Sequence, residues 1–194
     1  MIPPGPDEAP TEFVRALRSL RSVRLRPELE VDEVPGPGRI APYSAALTAE
    51  VHATRRDPDA DELASGRFVV LHDPQGQEAW NGTFRLVTLV RATLEAEVGG
   101  DPLLAEVAWS WFRDSFQGLG VTPHAAGGTV TRVLSQSFGA LSERPDQVEI
   151  EMRVSWTAQD DDLAPHLRAW ASLLCSVAGL PPLPVGVVPL PRRR

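Results

Sequence analysis

The clearest pattern in the chain is an alternation of apolar and polar residues near the C-terminal end. Every second residue from Val148 to Trp156 is apolar, and Glu149, Glu151 and Arg153 stand between them. Successive side chains of a β-strand point to opposite faces of the sheet. The segment is therefore predicted to be a strand with one buried face and one solvated face.

Four further segments read as strands. Residues 43–53 alternate in the same way, and residues 129–138 form a later strand. Residues 68–71 and 78–95 are predicted to form a hairpin, with a type I turn at 73–76 because Pro74 and Gly76 occupy the positions this turn favours. Asn81-Gly82 is then expected to be a bulge. The middle of the return strand is apolar on both faces, as is typical of a central strand.

Three segments have the 3.6-residue period of an amphipathic helix. The first begins near Thr11, the second is opened by Asp101 and Pro102, and the third follows Asp162 and ends before Gly179. Residues 27–38 contain three prolines and two glycines. This composition predicts an irregular, extended crossing between the first helix and the first strand.

The predicted fold is α+β, in the order α-β-β-β-α-β-β-α. We expect an antiparallel sheet of about five strands with the helices packed on one face, which is similar in element order to type III secretion chaperone-like domains. The length fits one domain, residues 11–182, between flexible tails at 1–10 and 183–194.

Composition narrows the possible functions. The net charge of −7 argues against general affinity for nucleic acid or an anionic membrane. All 19 basic residues are arginine, so the chain cannot form a lysine Schiff base or a phosphate loop ending in Gly-Lys-Ser/Thr. No apolar run is long enough to span a bilayer, and the single Cys175 cannot form an intrachain disulfide. We expect a cytoplasmic protein.

Motifs for catalysis are sparse. The four histidines are far apart in the sequence, none spaced for a compact zinc site. Cys175 lies in an apolar helical pattern without the positive surroundings that activate a thiol. His72-Asp73 acts as an acid–base pair only if a third group converges on it. We therefore assign no catalytic residue, no metal and no cofactor.

Several segments, spread over nearly the whole chain outside the tails, together carry a family resemblance. They include Leu71-His72-Asp73-Pro74, Gly82-Thr83-Phe84-Arg85, Trp109-Ser110-Trp111, Gly128-Thr129-Val130-Thr131-Arg132, Ser155-Trp156-Thr157 and Ala178-Gly179-Leu180-Pro181-Pro182. With these segments the chain resembles an actinobacterial family known only as a domain of unknown function. The resemblance implies a cytoplasmic protein of high-GC Gram-positive bacteria and transfers no catalytic residue.

One candidate interaction surface lies on the second helix. Its apolar residues spread over an arc of roughly 200°, wider than one sheet face needs to cover. Either another helix of the chain or a second subunit covers the excess. The candidate residues are Trp109, Trp111, Phe112 and Phe116.

A second candidate is a groove on the sheet for a small anionic ligand. Arginines on several strands bind carboxylate or phosphate groups when they converge. Alternatively, they form a ladder of ion pairs with Glu95, Glu149 and Glu151 on a solvated face. The candidate groove residues are His72, Trp80, Arg85, Arg132 and Arg153.

A third candidate is a basic patch on and after the first helix, formed by Arg15, Arg18, Arg21, Arg24 and Arg26. No aromatic residue interleaves with these arginines to stack on bases, so pairing with the chain's own carboxylates is favoured over RNA binding. The sequence favours a non-enzymatic interaction or adaptor domain that forms a homodimer. The alternatives are an anionic-ligand or enzyme site on the sheet and an RNA-associated accessory protein.

Overall fold

The computed structural model describes residues 9–53, 62–94 and 101–181. Both predicted tails lie almost entirely outside these residues. The helices are α1 (Thr11–Arg21), α2 (Leu104–Gln117) and α3 (Ala164–Val177). The strands are β1 (Leu29–Val34), β2 (Tyr43–His52), β3 (Glu62–Gln77), β4 (Gly82–Leu94), β5 (His124–Ser135) and β6 (Gln147–Ala158).

The strands form one antiparallel sheet in the order β1-β2-β3-β4-β6-β5. The predicted α+β class and element order are confirmed, with one strand added at the edge. That strand, β1, lies in the segment expected to be irregular. Its Leu29 and Val31 pair with Val51 and Ala49 of β2. The strand was not predicted because these apolar residues alternate with carboxylates over only a few positions and prolines flank the segment.

The hairpin of β3 and β4 turns later than predicted. Strand β3 continues to Gln77, which pairs with Gly82, and the ladder is irregular between His72 and Gln77. The expected turn at 73–76 is therefore a bulge, whereas Asn81 ends the actual turn in the left-handed conformation, with φ of 53°. Asparagine tolerates this conformation better than most residues, and this property, rather than the Pro-Gly pattern, decided the turn.

The second helix starts three residues after its predicted cap. The Asp101 carboxylate accepts a hydrogen bond from the Leu103 amide at 2.8 Å, but this bond closes a turn that precedes the helix. The helix ends at Gln117, directly before Gly118.

All three helices cover the same face of the sheet, which we call the helix face; the other is the open face. Phe68, Thr88 and Val154 lie side by side on the helix face, and every second residue along their strands joins them. The predicted inward residues of β6, from Val148 to Trp156, are buried there. Strand β4 pairs with β3 on one side and with β6 on the other, so its predicted central position is also confirmed.

Helix α3 approaches the sheet closely at Gly66. A Cβ atom at this position would stand 2.8 Å from Cδ2 of Leu174 and 3.0 Å from Cζ2 of Trp170. Trp170 is fully buried, and its indole N–H donates to Oγ1 of Thr88 at 2.7 Å. The Thr88 hydroxyl in turn donates to the Arg67 carbonyl at 2.9 Å. When a buried donor loses its acceptor, the folded state is destabilised by the full desolvation free energy of that donor.

Replacing Thr88 by Val keeps the shape but removes the acceptor for Trp170. We expect Thr88→Val to lower the free energy of unfolding by about 1–3 kcal/mol in denaturant titration. Thr88→Ser keeps the hydroxyl and loses only a methyl group, so it should cost less, about 1 kcal/mol. A Val variant as stable as wild type would contradict this role for the hydroxyl.

Candidate interaction edge

The aromatic residues of α2 point in two directions. Phe112 and Phe116 are buried against Trp156 of β6, with ring centroids 5.7 and 5.1 Å away. Trp109 and Trp111 are only partly buried. The sheet and α3 therefore cover half of the predicted interaction surface within the chain, while the two tryptophans still reach solvent.

The five predicted groove residues are divided between the two faces of the sheet. Register places Arg85 and Arg153 on the open face. Arg132 lies opposite Ile150, on the helix face, where it donates to the Asp101 carbonyl at 3.1 Å. His72 is fully buried on the helix face, and Trp80 is buried in the turn after β3. Successive side chains of a strand point to opposite faces of the sheet, so the position of each groove residue in its strand decides its face.

Arg85 is held in place by neutral groups. Its Nη1 donates to the Ala125 carbonyl at 3.0 Å and to Oγ1 of Thr157 at 3.1 Å, and its Nη2 donates to Oγ of Ser155 at 2.6 Å. No carboxylate pairs with it among the described residues. Burial accordingly lowers the pKa of its guanidinium. Within the described ranges, Arg85 is thus a fixed cation on the open face without a counter-charge.

Part of the ladder that was the alternative prediction is present on this face. Glu151 bonds Arg91 of β4 and Arg153 of its own strand, each at 2.7 Å. These hydrogen bonds hold the pKa of Glu151 below its usual value, the bond to Arg91 having the largest effect. Glu95, placed near this face by the sequence, lies outside the described residues.

Three arginines of the predicted basic patch form ion pairs with carboxylates of the same chain. Arg15 bonds Asp161 at 2.6 Å, Arg21 bonds Glu33 at 3.1 Å, and Arg26 bonds Glu28 at 3.0 Å. Arg26 also donates to the carbonyl of Pro181 at 2.8 Å. These arginines therefore link α1 and the segment after it to the domain.

The two edges of the sheet differ in how they are protected. Strand β1 is short and exposes three carboxylates, Glu30, Asp32 and Glu33. Charges on an edge strand are a common device against pairing with another sheet. The opposite edge, β5, is twice as long, and eleven of its twelve residues are exposed. From Gly127 to Ser135 it has one charged residue, Arg132.

Apolar side chains are concentrated at this second edge. Val133 and Leu134 are 45% and 58% exposed, and Phe138, just beyond the strand, is 77% exposed. Leu141 is also exposed. We call strand β5 and the residues that follow it, through Leu141, the β5 edge. A long, charge-poor edge with exposed apolar residues is a site at which another strand can add.

A groove runs beside the β5 edge, between the strand and α2, with a volume of about 470 Å³. Trp109, Glu106 and Arg113 line it from the helix, and Gly128 and Val130 line it from the strand. A Cβ atom on Gly128 would stand 3.0 Å from Cα of Val154, so a side chain fits there only if the backbone shifts. Leu134, Phe138 and Gly128 were missed as site residues because strand order, which makes β5 an edge, is not visible in sequence.

His72 and Cys175 are buried groups outside this edge whose pKa values depart from their usual range. His72 stacks on Phe84, and since a carbonyl only accepts, its Nδ1–H donates to the Thr83 carbonyl at 3.1 Å. Its Nε2 has no hydrogen-bond partner among the described residues and lies 3.9 Å from Oε2 of Glu12. Burial lowers the pKa of His72 and raises that of the Cys175 thiol to about 11. The cysteine is a buried free thiol, as predicted.

The fold and its exposed edge define a small α+β domain built on an open antiparallel sheet. The chain belongs to the family described as protein of unknown function (DUF3000), whose model matches residues 9–188. The expected family resemblance is thereby confirmed, whereas the actinobacterial origin stays a prediction. No curated protein and no solved structure matches this chain. No helix in the described ranges is long and apolar enough to cross a membrane.

His166, at the start of α3, supports the aromatic residues beneath α2. The Trp156 indole N–H donates to its Nδ1 at 3.1 Å, so the neutral ring carries its proton on Nε2. Burial lowers the pKa of His166 from 6.5 to about 4, although Asp160 and Asp162 act in the opposite direction. Protonation of Nδ1 would break the bond to Trp156.

The lowered pKa of His166 should reduce the free energy of unfolding of the domain in acid. The unfolded chain binds the proton near pH 6.5 and the folded chain only near pH 4, so stability falls as pH decreases through this window, by about 3 kcal/mol. His166→Asn keeps an acceptor near Nδ1 without titrating. Its free energy of unfolding, measured by denaturant titration from pH 7.5 to 4, should depend less on pH than that of wild type. Parallel curves would show that His166 does not titrate in this way.

Proposed function

We propose that this domain is a non-enzymatic protein-interaction domain that forms a homodimer through the β5 edge. The observation that carries the proposal is the contrast between the two edges: β1 is acidic and short, and β5 is long, nearly uncharged and flanked by exposed apolar residues. An edge strand left in this form pairs with another strand unless something covers it.

A second copy of the chain is the occupant that fits this edge best. A homodimer presents to each β5 edge another strand of the same length and the same low charge. Because an antiparallel pair of edge strands continues the sheet, the main-chain groups of both strands are satisfied at once. We therefore still propose the expected homodimer, but with a different interface. The interface is the β5 edge, with Trp109 beside it, instead of Phe112 and Phe116.

A lysine on the β5 edge should separate the two subunits. Val133→Lys adds a charge to the exposed edge strand without entering the core. Sedimentation velocity at micromolar concentration should show a dimer for wild type and a monomer for this variant, with the circular dichroism spectrum unchanged.

The matched control is Ile40→Lys. Ile40 is 58% exposed and precedes β2, away from the β5 edge, so the same chemical change there should leave the dimer intact. A monomeric wild-type protein, or a Val133→Lys variant that still dimerises like wild type, would contradict the proposal.

The second candidate function is binding of a small anion by Arg85. The specific observation in its favour is a guanidinium fixed by Ala125, Ser155 and Thr157 with no carboxylate partner among the described residues. Its Nε–H also has no acceptor there, and an N–H of this kind donates to a carboxylate or phosphate oxygen.

Anion binding should then raise the melting temperature in a way that depends on Arg85. With citrate or inorganic phosphate at increasing concentration, wild type should be stabilised and Arg85→Gln should not, since a ligand of the native state stabilises it by mass action. Arg153→Gln removes the same charge from the same face and is the control. Equal responses of both variants would indicate a general effect of ionic strength.

An RNA-associated role has less support. Three of the five arginines of the predicted patch bond carboxylates of the same chain. An RNA-associated role is therefore not proposed.

A further inference from the structure

We infer that the two β5 strands pair in one register, with Thr131 opposite the partner's Thr131, so that Leu134 of each subunit enters the groove between α2 and β5 of the other. This inference rests on the proposed homodimer and specifies its geometry.

Symmetry limits the possible registers. When a twofold axis relates two identical antiparallel strands, the numbers of facing residues have a constant sum, and facing residues lie on the same face of the sheet. One residue of each strand therefore faces its own copy at the axis. The helix face of one subunit also continues into the helix face of the other.

The length of regular strand points to Thr131 as that residue. The ladder between β5 and β6 is irregular between His124 and Gly127 and continuous from Gly127 to Ser135. Thr131 is the midpoint of the continuous part. Only a register centred there pairs the regular strand along its whole length, with Gly127 facing the partner's Ser135.

The same register places a protruding side chain in the groove. Gly128 and Leu134 both lie on the helix face, since they pair with the buried residues Val154 and Val148 of β6. Centring on Thr131 sets Leu134 directly opposite the partner's Gly128, where the groove has no side chain from the strand. The contact occurs twice, once in each direction. It covers a leucine that is 58% exposed in the single chain.

Charge favours this register over its neighbours. A pair centred on residue 132 sets Arg132 opposite the partner's Arg132, which is destabilising. A pair centred on residue 133 sets it opposite the partner's Leu134. Centring on Thr131 sets Arg132 opposite the partner's Val130, beside the groove that Glu106 lines.

Helix α2 adds apolar residues near the axis. The bond from Arg132 to the Asp101 carbonyl places the start of the helix beside the midpoint of β5. Leu103, directly before α2, and Val107, in its first turn, are both exposed. In the twofold arrangement the N-terminal ends of the two α2 helices approach each other across the axis. These residues therefore become less exposed in the dimer, together with Leu134.

Cysteine cross-linking tests the register directly. Thr129, Thr131 and Val133 are exposed and lie on the open face, so each accepts a cysteine without entering the core. Directly facing residues have Cα atoms about 4.5–5.5 Å apart, within disulfide range, whereas two copies of Thr129 or Val133 would be about 13 Å apart.

Under mild oxidation, Thr131→Cys should form a covalent dimer on a non-reducing gel. Thr129→Cys and Val133→Cys should each stay uncross-linked alone, but a mixture of the two should cross-link because those positions face each other. Wild type is the baseline, since its only cysteine is buried.

Leu134→Ala tests the contact in the groove. Because two copies of the side chain are lost at once, the dissociation constant of the dimer should rise by about tenfold or more in sedimentation equilibrium. Leu119→Ala, an exposed leucine just after α2, is the matched control and should leave the constant unchanged.

The outcomes separate the register from the homodimer itself. A wild-type dimer in which Thr129→Cys or Val133→Cys cross-links alone, or in which Thr131→Cys does not cross-link, overturns the register and leaves the homodimer standing. A dimer unaffected by Leu134→Ala overturns the contact in the groove. A monomeric wild type overturns both proposals.

Discussion

Two buried tryptophans hold the sheet and its helices together, and the rest of the fold depends on how their indole N–H groups are satisfied. Trp156 belongs to β6 and donates to His166 at the start of α3. Trp170 belongs to α3 and donates to Thr88 of β4. Each tryptophan thus bonds the opposite layer. Because an unsatisfied buried donor is costly, these two reciprocal bonds restrict where α3 lies on the sheet, and the absence of a side chain at Gly66 lets it lie there.

A sheet covered on one side leaves an open face and two edges that meet solvent. On the open face, Glu151 pairs with both Arg91 and Arg153. Among the described residues, Arg85 donates to neutral acceptors only, and three of these hold it in place. At the edges, β1 has carboxylates and β5 has almost no charge. The two departures from a well-protected surface, Arg85 and the β5 edge, are the features on which the functional proposals rest.

Much of the fold follows from local patterns, and the errors arose where a pattern was short or mixed. The alternation from Val148 to Trp156 identified the buried face of β6 correctly because it extends over a whole strand. Strand β1 was missed because two apolar residues among carboxylates do not outweigh the flanking prolines. The turn after β3 was placed too early because the preference of Asn81 for the left-handed conformation competed with a Pro-Gly pattern nearby.

The candidate site was harder to predict for a different reason. The sequence by itself determined which residues are apolar, most of the elements that they form, and that α2 has more apolar surface than one sheet face needs. Only the tertiary structure decided that Phe112 and Phe116 turn inward against Trp156, that Arg132 and Arg153 lie on opposite faces, and that β5 is an edge. Periodicity is a property of neighbouring residues, whereas strand order and register come from pairing between distant segments, and exposure of an edge follows from that order alone.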